Sequence, residues 1–474
     1  MALPCLLLSC FQKSITLNHF NIMNYNINSI QPGTKVLFAN VPADGHFNPL
    51  TGLAFHLKSI GCDVRWYTSK TYEDKVRRLG IPFYSLQRAV DISATSDLDA
   101  LFPERNKYKT QIGRLKFDMI NVFILRGTEY YEDIKEIHEE FDFELMIADI
   151  TFAGIPFVKE KMNIPVISIS VVPLPETSKD LPPSGLGLTP DYSFFGRMKQ
   201  SALRFIADTL LFAKPTKVMR KILAEHGIDA GNANIFDILI RKSTLVLQSG
   251  TPGFEYKRSD LSENVFFAGP LLPYAKAQQK GSEWYDDKLK QYDKVILVTQ
   301  GTVEKDVEKL IVPTLEAFQN SDCLVVVTTG GSGTEELRKR YGGDNILIED
   351  FIPFGDIMPH ADVYVTNGGY GGVLLSVQHQ LPMVVAGLHE GKNEINARVG
   401  HFRLGINLKT EKPSVLQLRK AVEEILANDT YFENVKSLSQ EFRKFNPNEI
   451  LVRQVSRLLR FSHKKNIKDE AFIY

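Results

Sequence analysis

The feature that most constrains the fold is a repeated alternation of short apolar strands with helix-forming segments. The run KVLFANV (35–41) is followed by a turn, by a helical pattern that stops at Gly61, and by a second strand over 62–69. Further strands are predicted over 143–150 and 164–172. A strand, a helix and another strand in succession are typical of a parallel sheet. The first half of the chain is therefore predicted to be α/β, with a parallel sheet at its centre.

The same alternation begins again after a polar stretch. The predicted strands of the second half are KVILVTQG, CLVVVTTGG, NILIEDFIP, ADVYVTNGG and LPMVVAG. We expect two Rossmann-like domains facing each other across a cleft: an N-terminal domain over 34–272 and a C-terminal domain over 294–445, joined by a linker over 273–293. A helix over about 446–462 is expected to pack back on the first domain, and residues 1–33 are expected to form a disordered tail.

Composition excludes several classes of protein. Lys and Arg number 56 and Asp and Glu number 56, so there is no basic excess of the kind that nucleic-acid binding requires. No window of 18 uninterrupted apolar residues is present, which argues against a transmembrane segment and leaves surface association open. The four cysteines form no metal-binding pattern and no regular framework. We therefore expect a reducing compartment, the cytoplasm.

Two residues of the first half stand where parallel strands end, which is where open α/β sheets bind ligands. His46 follows the strand over 35–41, and Asp149 ends the strand over 143–150. An imidazole can take up a proton near neutral pH, and a carboxylate bonded to its other nitrogen would orient the ring and stabilise the imidazolium. Helix capping or packing is the alternative role for each residue. No GxSxG motif is present, so no hydrolase triad is proposed.

Two strand exits of the second half are suited to phosphate. In the first (299–302), backbone N–H groups and the Thr302 hydroxyl could hold phosphate oxygens, although a plain turn is the alternative. In the second (366–372), four glycines fall within five residues and lead into an apolar helix. The N-terminus of a helix offers N–H donors and a positive dipole end, so a diphosphate is the expected ligand; close packing is the alternative.

Three other motifs are set aside. GSGTEE (331–336) lacks the third glycine of a dinucleotide fingerprint, and GLHEGK (387–392) is too short for a P-loop. The segment 97–99 has the DxD form of metal-dependent transferases, but it does not follow a strand and is interpreted as a helix start. No metal site is predicted.

The order of these features resembles family 1 nucleotide-sugar glycosyltransferases of the GT-B fold, in the style of the bacterial macrolide-type enzymes. The resemblance spans about 34–460 and is strongest over 351–397, where FIPFGDIMPHADVYVTNGGYGG continues to NEINA. It implies that His46 is the base that deprotonates the acceptor hydroxyl, that Asp149 is its partner, and that Thr302 binds a donor phosphate.

The resemblance also implies a donor site in the second half. Phe351 matches the aromatic residue that stacks on uracil, and Ile352 matches the residue whose backbone pairs with the base edge. Three positions depart from the family pattern: Asn367 replaces a diphosphate-binding histidine, Phe354 replaces a glutamine, and Leu375 replaces a ribose-binding glutamate. The remaining implied donor-binding residues are Gly369, Gly371 and Gly372 for the diphosphate, and Lys392 and Asn393, in place of an Asp-Gln pair, for the sugar. A local shift of the alignment would instead place Glu390 or Glu394 on the sugar hydroxyls.

The implied activity is an inverting, metal-independent transfer of a sugar from a nucleotide diphosphate donor, most simply a UDP-sugar, to a hydroxyl group. The donor is a co-substrate, and no further cofactor is expected. Aromatic and Leu-rich stretches at 101–131 and 173–195 suggest an apolar small-molecule or lipid acceptor, with simple packing as the alternative. A sugar-nucleotide epimerase and a non-catalytic nucleotide-sugar-binding subunit are the alternative functions.

Overall fold

Two parallel β-sheets, one in each half, organise the chain. The computed structural model describes residues 30–93, 97–274, 284–301 and 304–470, with side chains as far as residue 460. Most of the predicted tail, 1–29, and part of the predicted linker, 275–283, therefore lie outside the described residues.

The first sheet has seven strands: β1 (Lys35–Ala39), β2 (Asp63–Thr68), β3 (Phe83–Ser85), β4 (Leu145–Asp149), β5 (Val166–Ser170), β6 (Leu245–Ser249) and β7 (Val265–Gly269). Their order is β3-β2-β1-β4-β5-β6-β7, and every neighbouring pair is parallel. The order reverses direction between β1 and β4, because the chain builds outward from β1 first to one side and then to the other.

The second sheet repeats this plan with six strands: β8 (Lys294–Thr299), β9 (Cys323–Thr328), β10 (Ile346–Glu349), β11 (Val363–Thr366), β12 (Met383–Val385) and β13 (Gly405–Asn407). Their order is β10-β9-β8-β11-β12-β13, again all parallel, with the reversal between β8 and β11. The predicted fold class, two Rossmann-like domains, is confirmed. The strands β3 and β13 were not predicted, since each is only three residues long and carries no run of apolar residues.

Helices connect the strands. Those of the first half are α1 (Asp44–Ser59), α2 (Glu73–Arg78), α3 (Leu98–Leu101), α4 (Gln111–Asp118), α5 (Arg126–Glu140), α6 (Ile155–Lys161), α7 (Phe194–Ile206), α8 (Ala213–Glu225) and α9 (Ile235–Lys242). Those that follow are α10 (Ile311–Phe318), α11 (Thr334–Arg340), α12 (Phe354–Ile357), α13 (Tyr370–Gln378), α14 (Lys392–His401), α15 (Val415–Ala427), α16 (Asp429–Phe442) and α17 (Pro447–Glu470). Wide helical turns at 119–124 and 207–211 join α4 to α5 and α7 to α8.

The first sheet is buried on both faces. Successive side chains of β1 point to opposite sides, so Val36 and Phe38 enter one apolar cluster while Leu37 and Ala39 enter another. The first of these clusters includes side chains of α17, which returns from the second half to pack against α1 and β7. The C-terminal helix therefore belongs to the core of the first domain.

Three predicted boundaries were wrong. Residues 30–33 were assigned to the disordered tail, but Ile30 is buried in the first core and the Gly33 amide donates to the Gly61 carbonyl over 2.8 Å. The turn predicted before the first helix is already helical from Asp44, because Pro49 removes only one hydrogen bond of that helix.

The third wrong boundary concerns the glycine-rich segment. Gly371 and Gly372 lie in the first turn of α13 and not in a loop before it. Within the described residues no helix is long and apolar enough to cross a bilayer.

Candidate functional site

The candidate site lies where the strand order reverses in each sheet. In the first sheet, His46 follows β1 and Asp149 ends β4. In the second, Gly301 follows β8 and Asn367 follows β11. The carboxyl ends at a reversal point diverge and leave a crevice, which is where this class of sheet binds ligands. Contact between α1 and α13 brings the two halves together beside these strand ends.

A histidine and a buried aspartate are hydrogen-bonded in the first half. His46 lies in the first turn of α1, and its Nδ1 is 2.9 Å from Oδ1 of Asp149. The same oxygen accepts the amide of Thr151 over 2.9 Å and its hydroxyl over 2.5 Å, and Oδ2 accepts the amide of Val41 over 2.7 Å. Four donors therefore fix the carboxylate, which is fully buried. Since this oxygen accepts the Nδ1 hydrogen, Nε2 is the acceptor nitrogen of the ring.

Apolar side chains flank this pair. Val41 is buried with Ile92 and Val122 in a small apolar cluster, against which Phe102 packs. Tyr130 is buried on α5, where burial, followed by the charge of Asp149, raises the pKa of its phenol. The phenol therefore stays protonated, and the ring beside the Asp149 carboxylate carries no charge.

The segments that follow β8 and β11 of the second sheet form one edge of the crevice. The Asn367 amide donates to the Gln300 carbonyl, which ties the exit of β11 to that of β8. Gly301 has φ +75° and lies beside the Asn367 amide. Thr302, the predicted phosphate ligand, lies outside the described residues.

The predicted base-binding residues follow β10. Phe351 is 69% exposed, and its ring lies against Gly331, where an added Cβ would be 3.8 Å from it. The next residue, Ile352, turns its side chain into the core of the second domain. Gly331 lies in the motif GSGTEE, which sequence reasoning set aside, yet the structure places it at the carboxyl end of β9. Three glycines directly after a strand were the available signal.

One position of the glycine-rich segment, Gly368, can be occupied only by glycine. Gly368 has φ +86°, and a Cβ there would lie 1.7 Å from Oδ1 of Asn396. The Asn396 amide donates to the Gly387 carbonyl over 2.9 Å and to the Asn367 carbonyl over 3.3 Å. This asparagine therefore holds the segment from behind.

The front of the same segment is open. Gly369 precedes α13 and Gly371 lies in its first turn, and a Cβ added at either would meet no atom within 4 Å. Gly372 is closed in by the Tyr364 hydroxyl, 3.2 Å from its ideal Cβ. The open backbone gives a ligand close access to the amides at the start of α13.

The predicted sugar-binding residues begin α14, and one of them, Asn393, contacts the first domain. Lys392 Nζ is 2.5 Å from Oε2 of Glu390, and the Asn393 amide donates to the Gly185 carbonyl over 2.9 Å. Glu394 Oε1 accepts the amides of Gly185 and Gly187 over 2.9 and 2.8 Å. The start of α14 is thus bonded to the loop that follows β5.

Tyr370 has a role that sequence reasoning missed. Its hydroxyl donates to the Ser249 carbonyl at the end of β6 over 2.7 Å, and Gln248 Nε2 lies 3.4 Å from it. Burial raises the pKa of Tyr370, so the phenol remains a donor. Tyr370, the one non-glycine residue of 368–372, therefore anchors the glycine-rich segment to the first sheet, and no local pattern in the sequence indicates this.

The DxD segment has a structural role, as predicted. Oδ1 of Asp97 accepts the amides of Asp99 and Ala100 over 2.9 and 3.2 Å and so caps α3. Asp99 forms an ion pair with Arg105 over 2.7 Å. Across the described part of the chain, no group of three or more His, Cys, Asp or Glu side chains is arranged to hold a metal ion.

Comparisons with known proteins agree with this architecture. Residues 313–457 match the C-terminal domain of the erythromycin biosynthesis protein CIII-like family. The 4'-demethylrebeccamycin synthase of Lentzea aerocolonigenes is 33% identical over 86% of this chain and 96% of its own. UDP-glycosyltransferase 2 of Phaeomoniella chlamydospora is 29% identical over 86% of this chain and 92% of its own.

Solved structures share the fold. The chain is similar to the glycotransferase of kitacinnamycin, with 19% identity and a TM-score of 0.69. It is equally similar to CalG4, the calicheamicin glycosyltransferase, with 20% identity and a TM-score of 0.69. Each alignment covers 90% of this chain and 99% of the other. Together with the relatives in sequence, they place this chain among the family 1 glycosyltransferases of the GT-B fold, in the macrolide-type branch, and it is a glycosyltransferase.

Proposed function

We propose that this glycosyltransferase moves a sugar from a UDP-sugar to a hydroxyl of an apolar small molecule or lipid, with inversion at the anomeric carbon and without a metal ion. The observation that carries this proposal is the bond between His46 and Asp149 at the reversal point of the first sheet, 2.9 Å long. An imidazole whose Nδ1 is held by a buried carboxylate presents Nε2 as a base.

In the proposed reaction, His46 Nε2 takes the proton of the acceptor hydroxyl while the acceptor oxygen bonds to the anomeric carbon. The bond from that carbon to the diphosphate oxygen breaks, and its electron pair leaves with the diphosphate. Asp149 stabilises the imidazolium that forms. A single displacement inverts the anomeric configuration, and general-base help of this kind contributes about 10²–10⁴ in rate.

The donor diphosphate is proposed to lie at the start of α13. Gly369, Gly371 and Gly372 would bring backbone amides to it, and Asn367 and Thr302 would add side-chain donors. Negative charge is stabilised at a helix N-terminus, so fixed N–H groups would replace a metal ion as the diphosphate leaves. The exposed ring of Phe351 is suited to stacking on the base, with the backbone of Ile352 at the base edge. Uridine is favoured because several relatives are named UDP-glycosyltransferases or UDP-glucosyltransferases.

The sugar is proposed to lie at the start of α14. Lys392 would bind oxygen atoms of the sugar, and a cation at this position favours a donor sugar that carries an anionic group. Asn393 would contribute its amide oxygen, because the amide nitrogen is bonded to Gly185. The acceptor would lie beside the apolar cluster of Val41, Ile92 and Val122, against the partly buried Phe102 that packs on it. The cytoplasm remains the proposed location.

The test is to incubate the protein with UDP-sugars and a phenolic acceptor, and to follow UDP release and product mass. We expect His46→Ala to lower turnover at least 100-fold, in line with the usual contribution of a general base, while UDP still raises the melting temperature as in the wild type. The matched control is His56→Ala, a histidine of the same helix outside the crevice. If His46→Ala turns over as fast as the control, the proposal that His46 is the base would be contradicted.

The same assay separates the alternative functions. An epimerase would convert the UDP-sugar with no acceptor present, and a binding subunit would be stabilised by UDP without releasing it from any donor. Proton NMR of the first product reports the anomeric configuration, and retention would contradict the single displacement.

A further inference from the structure

The helix α7 carries a row of exposed apolar side chains. Five of its residues and one in the wide turn that follows have relative exposures between 47 and 80%. They are Phe194, Phe195, Met198, Phe205, Ile206 and Leu210. Single exposed apolar residues are ordinary on a protein surface, but a contiguous apolar face marks an interaction site.

The row occupies one side of the helix. At about 100° per residue, the five apolar residues of α7 fall within an arc of roughly 120°. The opposite side is buried through Gly196, Gln200 and Ala207. Gln200 accepts the Asp191 amide over 2.7 Å and donates to the Asp180 carbonyl over 3.2 Å. The helix is thus fixed to the protein by one face and presents the apolar face outward.

Basic residues accompany this face. Residues 194–225, which include α7 and α8, contain seven Lys and Arg against two acidic residues, a net charge of +5 in a chain whose total is +0. Lys199 borders one side of the apolar arc, and Arg197 lies beyond the other. The segment that carries the exposed aromatic side chains is therefore more basic than the chain as a whole.

The face continues onto α4. The Lys116 ammonium donates to the Leu210 carbonyl over 2.7 Å, which places α4 beside the end of α7. Ile112 precedes this lysine by one turn, and both Ile112 and Leu115 are about half exposed, at 52 and 48%. The two helices together form one basic, apolar surface, which we name the α4–α7 surface.

We propose that the α4–α7 surface docks the protein on an anionic lipid membrane, with α7 lying in the plane of the headgroups. Phe and Leu on one side of a helix and Lys and Arg at its borders are the composition of interfacial helices. Acidic headgroups attract such basic borders.

Two other occupants fit less well. A second copy would apply the same patch to itself and so bring like charge against like charge, because α4 and α7 together contain five Lys and Arg and one acidic residue. Residues 1–29 contain one lysine and no acidic residue, so they bring no complementary charge. A lipid surface of negative charge satisfies both the apolar face and its basic borders.

The experiment is flotation of the full chain with vesicles of phosphatidylcholine alone or mixed with phosphatidylglycerol. We expect binding to the mixed vesicles, weakened by high salt, and little binding to phosphatidylcholine alone. Phe195→Ser with Phe205→Ser should weaken binding at least tenfold. The matched control is Leu416→Ser with Phe432→Ser, two exposed apolar residues on helices of the second domain. Thermal melts confirm that both double variants are folded.

Three results would overturn the proposal. The first is equal vesicle binding by the α7 variant and the control variant. The second is a wild-type dimer in sedimentation velocity without lipid that the α7 variant converts to a monomer, which would make this face a protein interface. The third is vesicle binding that appears only after residues 1–29 are removed, which would show that they cover the face.

Discussion

The guanidinium of Arg398 donates two hydrogen bonds to Oε2 of Glu255, over 2.8 and 3.1 Å, although Arg398 lies on α14 of the second domain and Glu255 follows β6 of the first. Oε1 of Glu255 accepts the Leu174 amide over 2.8 Å, and Arg398 also pairs with Glu394 over 3.0 Å. The Arg398 side chain is 3% exposed and that of Glu255 is 5% exposed. A buried ion pair therefore joins the helix proposed to hold the sugar to the segment that follows β6, and Glu255 is in turn bonded to the loop that follows β5 through the Leu174 amide.

Removing the arginine should destabilise the protein strongly. Arg398→Ala removes the close cationic partner of the buried Glu255 carboxylate, which keeps only Arg258 at 4.0 Å, and breaking a buried pair on one side costs roughly 3–5 kcal/mol. We expect a clearly lower urea midpoint. Arg77→Ala is the control, because Arg77 is 61% exposed and pairs with Glu73 one turn away. Such exposed pairs contribute about 0.5 kcal/mol. Similar midpoints for the two variants would show that the buried pair contributes little.

The Tyr370 hydroxyl should matter for stability and for the donor. Tyr370→Phe removes one of two side-chain donors to the buried Ser249 carbonyl, to which Gln248 Nε2 also donates over 2.8 Å, so we expect a cost of about 1 kcal/mol. Because the residue begins α13, we also expect the KM for the UDP-sugar to rise while the acceptor KM changes little. Tyr285→Phe, at an exposed tyrosine, is the control. An unchanged urea midpoint and an unchanged donor KM would contradict the anchoring role.

The proposed base and its partner should behave as one unit. Asp149→Asn puts an amide where four donors now meet a carboxylate, which disturbs the ring of His46 and should lower turnover about 10²–10⁴-fold. If Asp149 acts only through the imidazole, the double variant with His46→Ala should be no slower than His46→Ala alone. Turnover numbers of the two single variants and the double variant decide this. If the double variant is slower than wild type by the product of the two single-variant factors, Asp149 acts independently of His46.

A partly buried histidine, His379, is expected to contribute to the loss of protein stability at acidic pH. Burial lowers the pKa of His379 below its usual 6.5. As the pH falls through 6.5, His379 takes up a proton in the unfolded chain before it does so in the folded protein. The contribution of neutral His379 to the free energy of unfolding is therefore fully present above this pH and is lost below it. We expect His379→Gln to reduce the fall in melting temperature between pH about 7.5 and about 5.5. His389→Gln, at an exposed position, is the control; parallel curves for wild type and His379→Gln would refute the assignment.

The apolar strands of both sheets were predictable because each is a continuous run of buried residues between turn signals. The proximity of His46 and Asp149 was also predictable from the sequence, since parallel order places the ends of β1 and β4 at one edge of the sheet. The start of α1 was misjudged because Pro49 has the local signature of a turn.

The residues that join the two halves could not be found in this way. Arg398 and Glu255 are 143 positions apart, and Tyr370 and Ser249 are 121 apart. Neither pair lies at a helical or strand spacing, so only the packing of one domain on the other brings them into contact. The function of Gly368 was likewise hidden, because its requirement for glycine comes from Asn396, a residue of another helix.

The return of α17 to the first core means that the chain crosses between the domains twice, once after β7 and once after α16. The second domain is therefore an insertion within the first, and two chain connections join it to the first domain instead of one. Each crossing is a covalent constraint on how one domain can rotate against the other. An exchange of donor domains between relatives would need two junctions, and a hybrid cut only at the linker would take α17 away from the core that it completes.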